Sequence, residues 1–422
     1  MKFDTVIIGG GLSGLTCGIR LMEQGRKCAI VSSGQSAIHF FSGSFDLLSR
    51  VNGQEVTNPL ESIHSLPSEH PYQRVGQANI ARLAEEAPQL LDRAGMVFAG
   101  TAKRNHFVLT PMGTMKPTWL TLDDFTSFAK NDKLPLSRAT IVNLQGFLDF
   151  HTLFIKDGLT RYGVEVQVRN VAMAQFEAIR RNPSEMRSSN IAKVFDQGDA
   201  LDQFAEKVNK LGKESDVIIL PAVFGLFNTT VPAALKARIN KPVVLLPAVP
   251  PSTPGIRCQI QLRQRFQELG GTHFLGDMVR EGKFKGNRLR YVNTNNHGDI
   301  QLEADHFILA SGSFYSKGIK AGPYGLFEPI FGLDVDGENE REKWFDKQVF
   351  NNQPYMHYGV RTDARFRPMI NGQPVENLYA AGSVLAGSNP LKEGSGAGIC
   401  LLTSLHVAEQ ILQDQDDEER YI

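Results

Sequence analysis

An apolar run at residues 3–8, the turn Gly9-Gly10-Gly11 directly after it, and apolar residues at Leu12, Leu15, Ile19 and Met22 predict an α/β fold of the Rossmann-like type. The run is continuously apolar, as in a strand covered by helices on both faces. Spacings of three, four and three residues put the four apolar side chains on one face of a helix. Gly25 stands where that helix would stop, and residues 27–31 read as a second apolar strand. A β–α–β unit is therefore predicted in the first 31 residues.

Residues 49–137 are more polar and richer in proline, and they lack this alternation apart from a helix predicted at 80–91. They read as an insertion that caps something. The α/β texture returns with strands at 139–144, 164–168, 217–221 and 243–246 and a helix at 148–161. Such βα units in series predict a second parallel sheet. A polar helix at 256–269 is closed by Gly270-Gly271. Short strands broken by Gly282, Gly286 and Gly298 then predict a β-meander over 272–305, leading into an apolar strand at 307–310. A strand at 378–381, a glycine-rich loop and a helix at 398–412 complete the pattern, and the acidic stretch after Gln413 reads as a frayed tail. The expected domains are a discontinuous domain of this Rossmann-like type (1–48, 255–315, 375–413), the polar insertion (49–137), an α/β cap or substrate domain (138–254, 316–374) and the tail (414–422).

Composition narrows the functional classes. Of 422 residues, 41% are apolar and 21% charged, which is ordinary globular usage. Lys+Arg and Asp+Glu number 45 each, so there is no electrostatic ground for nucleic-acid binding. Cys17, Cys28, Cys258 and Cys400 are too far apart in sequence for a metal motif. No metal site, iron–sulfur cluster or disulfide framework is expected, only buried reduced thiols. Neither a signal peptide nor a spanning helix is expected, because the chain enters a strand at once and no run reaches about 18 apolar residues.

Four motifs carry chemistry. In Gly9-x-Gly11-x-x-Gly14 the first glycine permits a tight turn, the second lets a phosphate approach the backbone, and the third lets helix and strand pack closely. Leu12 and Ser13 begin a helix whose free N–H groups favour an anion. This fingerprint normally has a carboxylate at the end of the second strand to hold ribose hydroxyls. Here Ser32 and Ser33 stand in its place, which leaves room for FMN, with FAD as the alternative. The second motif is a strand ending at Gly382-Ser383, followed by Gly394, Gly396, Ala397 and Gly398 at a helix start, a second place for negative charge. The third is Ala310-Ser-Gly312, which resembles the strand-turn that closes flavin domains. The fourth is the stretch 34–44, with Ser42 and Gly43 beside a flavin and His39 facing the ring or the substrate.

The stretches FDTVIIGGGLSGLTCGIRL, GQSAIHFFSGSFDLLS, LPAVPPSTPGIRCQIQL, SGSFYSKG and EPIFGLDV resemble the B-subunit family of anaerobic glycerol-3-phosphate dehydrogenases over nearly the whole chain. The resemblance implies an FMN-containing chain joined to the FAD-containing catalytic A-subunit of the same complex. An iron–sulfur C-subunit would anchor the pair at the cytoplasmic face of the inner membrane. It further implies oxidation of sn-glycerol 3-phosphate to dihydroxyacetone phosphate, with electrons passed to quinone and on to fumarate or nitrate. Oxidising a secondary alcohol needs a hydride acceptor, a base and cations for the phosphate. The candidates are the flavin, then His39 or His357, then Arg257 and Arg361, with Lys392-Glu393 also near the flavin loop. Each arginine has the plainer alternative of an ion pair. Two other readings stay open: an assembly or electron-relay role in that complex, and an FAD-dependent oxidoreductase of another substrate.

Overall fold

The first apolar run forms the strand Lys2–Ile8, with Val6 and Ile7 wholly buried. Helix Leu12–Glu23 and strand Cys28–Ser32 complete the β–α–β unit, and every residue of the second strand is buried. The structure, a computed structural model, describes residues 1–129 and 134–420. Residues 130–133 of the expected insertion and 421–422 of the expected tail lie outside the described residues. Two compact units partition the chain: Met1–Ala37, Asp46–Gly95 and Gln261–Ile422 make the first, Ile38–Phe45 and Met96–Ile260 the second.

The sheet of the first unit runs in the order Thr272–Leu275, Cys28–Ser32, Lys2–Ile8, Leu302–Leu309, Arg288–Thr294, Val279–Lys285. Leu378–Ala380 pairs in parallel with the end of Leu302–Leu309, Phe307 opposite Leu378. Lys2–Ile8 lies parallel to both neighbours, Ile8 opposite Val31 on one side and Leu309 on the other. The predicted meander is therefore shorter at its start. Val279–Lys285, Arg288–Thr294 and Leu302–Leu309 are antiparallel, but Thr272–Leu275 joins the far side of the sheet in parallel. Asn377 locks the meander to the last strand: its side chain donates to the Leu289 and Asp305 carbonyls and accepts from the Leu289 N–H, all at 2.9 Å. Helix Gly396–Arg420 packs on Leu12–Glu23 and on Gln77–Arg93.

That last helix does not stop at 412. The Asp414 carboxylate accepts from the buried Tyr379 hydroxyl and from the Arg365 guanidinium, which holds the start of the acidic stretch in helical register. Residues 316–374, expected beside the second α/β module, fall in the first unit. The expected insertion is divided between the two units after Gly95.

The second unit contains the predicted second parallel sheet, in the order Glu165–Val171, Arg138–Leu144, Val217–Pro221, Val243–Leu246. Its core buries Ile141, Phe204, Ile219 and Leu235 completely, and the rings of Phe176, Phe195, Phe204 and Phe224 meet in sequence. The helix expected over 148–161 is shorter, Thr152–Arg161, because the Asn143 side chain donates to the Phe147 carbonyl at 2.9 Å and holds the preceding residues in a loop. The polar helix starts earlier than expected, at Thr253, with Pro254 in its first turn, where the missing N–H costs nothing.

Gly14 allows no side chain: a Cβ there would fall 1.9 Å from the Gly9 carbonyl oxygen. Both partners are backbone and cannot yield. Gly14→Ala is expected to destabilise the chain by about 3 kcal/mol, read as a lower urea midpoint at unchanged slope.

Candidate functional site

In the first unit, three glycine turns converge at the ends of the central strands. Gly9 has a φ of +116°, and a Cβ on it would lie 2.2 Å from the Ala310 carbonyl oxygen. The Ala310 N–H donates to the Ile8 carbonyl at 2.8 Å. Gly382 has a φ of +78°, and a Cβ on it would meet the Ser13 hydroxyl at 1.9 Å. Its N–H donates to the Thr403 hydroxyl at 2.9 Å. Gly312 has a φ of +83°, with the Ser383 hydroxyl 3.7 Å from the place of its Cβ. Gly9, Gly11, Leu12, Ser13, Gly14, Ala310, Gly312, Gly382 and Ser383 thus lie in three turns packed together at one end of the sheet. Gly11 is the N-cap of Leu12–Glu23, no side chain caps that helix, and the space at its Cβ is nearly open, with only Ser36 at 3.6 Å. An uncapped helix N-terminus behind a bare glycine fits the phosphate of a nucleotide.

The expected second anion site is packed more closely. Gly394 and Gly398 face protein: a Cβ on the first would meet Ser49 at 2.6 Å, and one on the second the Tyr72 hydroxyl at 2.2 Å. The Gly398 N–H already donates to the Asp46 carbonyl at 2.9 Å. Gly396 and Ala397 are half-buried at the helix start. At the end of the second strand Ser32 is buried, its hydroxyl donating to the Gly34 carbonyl at 3.3 Å, while Ser33 is exposed. Sequence reasoning missed His273 there. Its Nε2 sits 3.2 Å from the place of a Gly10 Cβ, beside Ser32. Neither ring nitrogen makes a hydrogen bond among the described residues. Burial, helped by the Arg263 charge, pushes the imidazole down to about 4, so it is neutral at pH 7.

The second unit holds His39, Ser42, Gly43 and Arg257. Gly255 brings the start of Thr253–Glu268 against the 38–45 segment, since a Cβ on it would lie 2.4 Å from the Ile38 carbonyl oxygen. Ser252 N–H donates to the His39 carbonyl at 2.9 Å. Burial lowers the His39 imidazole, and the amide of Gln259 beside it acts the other way. Gly43 has a φ of +89° and packs on Phe125, with Ser42 half-buried beside it. Arg257 is buried, its guanidinium bonded to the Asp124 carboxylate and, at 3.1 Å, to the Gly225 carbonyl. Its charge is already neutralised, a geometry that builds structure rather than a free phosphate site. Arg361 likewise pairs with Asp336 at 2.7 Å, on the surface.

His357 lies elsewhere in the first unit, on the wall of a cavity of about 370 Å³. Burial lowers its imidazole, with the Glu393 carboxylate acting the other way. Glu393 is the hub of a buried network. One carboxylate oxygen accepts from the Asn389 N–H at 2.9 Å, the other from Ser395 at 2.8 Å and from His70 Nε2 at 3.2 Å. The His70 tautomer follows from its neighbours: Nδ1 accepts from the Tyr72 N–H at 3.1 Å, so the proton is on Nε2. Burial would raise the Glu393 carboxyl, but the His70, Asn389 and Ser395 donors outweigh it and hold it below the usual range. Among the described residues no cluster of three or more His, Cys, Asp or Glu could hold a metal ion, and no helix is long and apolar enough to cross a membrane.

Because Glu393 is held below its usual value, its stabilising contribution is complete above the ordinary carboxylate range and is lost as pH falls through the folded value. The stability gap between the wild type and Glu393→Gln should therefore shrink between pH 7 and pH 3 in chemical denaturation. Arg257→Met leaves the Asp124 carboxylate without its cation and should cost about 3–5 kcal/mol in the same assay.

Residues 4–399 match the FAD binding domain family. The chain is 44% identical over 417 residues to the B-subunit of the anaerobic glycerol-3-phosphate dehydrogenase of Yersinia enterocolitica, covering 98% of each chain. It is 41% identical over 418 residues to the protein of the same name from Pectobacterium atrosepticum, covering 98% of this chain and 99% of that one. Against the Aliivibrio fischeri protein the identity is 35% over 438 residues, with 98% and 96% covered. The glycine turns gathered at the strand ends thus belong to a flavin-binding fold, and the chain is a member of the B-subunit family of anaerobic glycerol-3-phosphate dehydrogenases.

Proposed function

We propose that this chain is a flavin-dependent subunit of a complex that oxidises sn-glycerol 3-phosphate to dihydroxyacetone phosphate and passes the electrons to the quinone pool, with fumarate or nitrate as final acceptor. The observation that carries the flavin part is the convergence of the turns at Gly9–Gly14, Ala310–Gly312 and Gly382–Ser383 on an uncapped helix start. The substrate comes from the name of the relatives, which match this chain end to end. That name also marks them as one subunit of several. The partners in this reading are the FAD-containing catalytic A-subunit and the iron–sulfur C-subunit, which holds the pair at the cytoplasmic face of the inner membrane.

When bound, the flavin supplies a two-electron acceptor for a hydride. The chain supplies the rest. The Gly11 turn and the helix behind it receive the phosphate of the coenzyme. His357, neutral at pH 7 and exposed to a cavity, is the better placed of the two candidate histidines to take the hydroxyl proton of an alcohol. His39 keeps a buried ring, its Nδ1 without a hydrogen-bond partner among the described residues.

The coenzyme has two readings. The serines at the end of the second strand, where a ribose-binding carboxylate would stand, favour FMN. The FAD binding domain match favours FAD. An assembly or electron-relay role for this chain differs from both in needing no substrate site. The purified chain is expected to be yellow, with flavin absorbance bleached by glycerol 3-phosphate in the presence of its FAD-containing partner. Acid extraction and chromatography should release FMN, and release of FAD would replace that reading. A colourless chain that takes up neither coenzyme would remove the flavin role.

A further inference from the structure

Single apolar side chains on a protein surface are ordinary and need no explanation. One group in the first unit is different. Phe345, Val349, Phe350 and Leu391 stand 54%, 73%, 89% and 73% exposed. The first three belong to a loop, residues 345–353, that has neither strand nor helix. Leu391 lies on the short helix Pro390–Glu393.

The loop is held from inside by its polar groups. Gln353 is buried, its side-chain oxygen accepting from the Asp346 N–H at 2.9 Å and its amide donating to the Gln348 carbonyl at 3.0 Å and the Asp346 carbonyl at 3.3 Å. The Asp346 carboxylate accepts from the Gln348 N–H at 2.7 Å and from the Asn351 amide at 3.2 Å. Two further bonds fasten the loop to the segment before the last helix. Lys392 Nζ donates to the Phe350 carbonyl at 2.5 Å, and the Asn389 amide donates to the Asn352 side-chain oxygen at 2.7 Å. Leu391 is thereby brought close to the tip of the loop.

This inverts the usual division of labour. Polar side chains fix the backbone, and the apolar ones are left in water. A tip fixed in this way loses little freedom when something covers it. The four side chains offer about 500 Å² of apolar surface, against about 800 Å² per partner in a standard interface. Contiguous apolar area of that size marks an interaction site, and its composition is that of an interface core rather than a rim.

The place of the patch selects what covers it. Asn389 and Leu391 stand in the segment that joins the Gly382–Ser383 turn to the helix Gly396–Arg420, so a partner seated on the patch lies against a stretch that carries one of the three glycine turns. A subunit that exchanges electrons with a flavin must come close to it. The relatives of this chain are named as one subunit of several, so a surface kept for a different chain is expected.

We propose that Phe345, Val349, Phe350 and Leu391 form the docking face for the FAD-containing A-subunit, with Phe350 entering an apolar pocket on that partner. The assignment rests on the reading of this chain as a subunit of the complex. It adds the surface.

Biolayer interferometry between the purified, flavin-loaded chain and the purified A-subunit tests it, with the absorbance spectrum and thermal midpoint of each variant read alongside. Phe350→Asp is expected to weaken binding about thirtyfold or more, as at an interface hot spot. Phe350→Leu should recover most of the loss, and Leu391→Asp should weaken binding as well. Flavin content and thermal midpoint should stay at their wild-type values in all three, because both side chains are exposed. Equal affinity of wild type and Phe350→Asp would overturn the docking face and leave the subunit reading standing. A loss of affinity accompanied by lost flavin or a lowered midpoint would overturn it too, since the loop would then be shaping the chain itself. A wild-type dimer in sedimentation that Phe350→Asp dissolves, with affinity for the A-subunit unchanged, would give the patch to a second copy of this chain instead. No binding between the wild-type chain and the A-subunit would remove the subunit reading and the docking face together.

Discussion

The tightest constraint in the first unit is the approach of backbone to backbone around Gly9. Its carbonyl oxygen occupies the space that a side chain at position 14 would need, and its own α-carbon presses against the Ala310 carbonyl. These contacts let the first helix lie directly on the first strand and let the strand Leu302–Leu309 end level with Lys2–Ile8. The same economy recurs where Gly382 meets Ser13. Backbone N–H groups at a helix start become available to an anion only because side chains are absent on the neighbouring turn. The nucleotide-binding character of the fold thus follows from missing Cβ atoms more than from any functional group present.

That kind of constraint is visible in a sequence. Glycines at fixed offsets between an apolar run and a 3.6-residue period leave little freedom, and the strands Val217–Pro221 and Val243–Leu246 coincide with their apolar runs because both faces are buried. Pattern and structure part where a distant partner overrules the local signal. Thr272–Leu275 reads as the start of a meander, yet it pairs with a strand some 240 positions earlier in the chain. The tail reads as a fraying run of acids until the Asp414 carboxylate finds Tyr379 and Arg365.

The charged side chains are the least legible. Sequence gives Arg74, Arg257 and Arg361 no ranking. Their difference lies in which group closes on the guanidinium: Asp124, 133 positions from Arg257, forms an ion pair with it, while Arg74 donates to the hydroxyl and carbonyl of Thr362, 288 positions away, with the Glu69 carboxylate near enough to feel its charge. His70 and Glu393 are likewise joined across 323 positions, and neither stands out within its own segment. The polar, proline-rich stretch reads as a cap because it lacks periodicity. Its first part instead supplies buried His70 and Tyr72, which hold the loop before the last helix.

The bond between Tyr379 and Asp414 bears on how this protein is handled. Tyr379 sits in the strand Leu378–Ala380, inside the main sheet, with its ring wholly enclosed. A chain shortened at residue 413 would strip that phenol of its acceptor and Arg365 of its counter-charge. Expression boundaries drawn to trim an apparently dispensable acidic end would therefore reach into the sheet, and a poorly behaved shortened product would say nothing about whether that end contacts another protein.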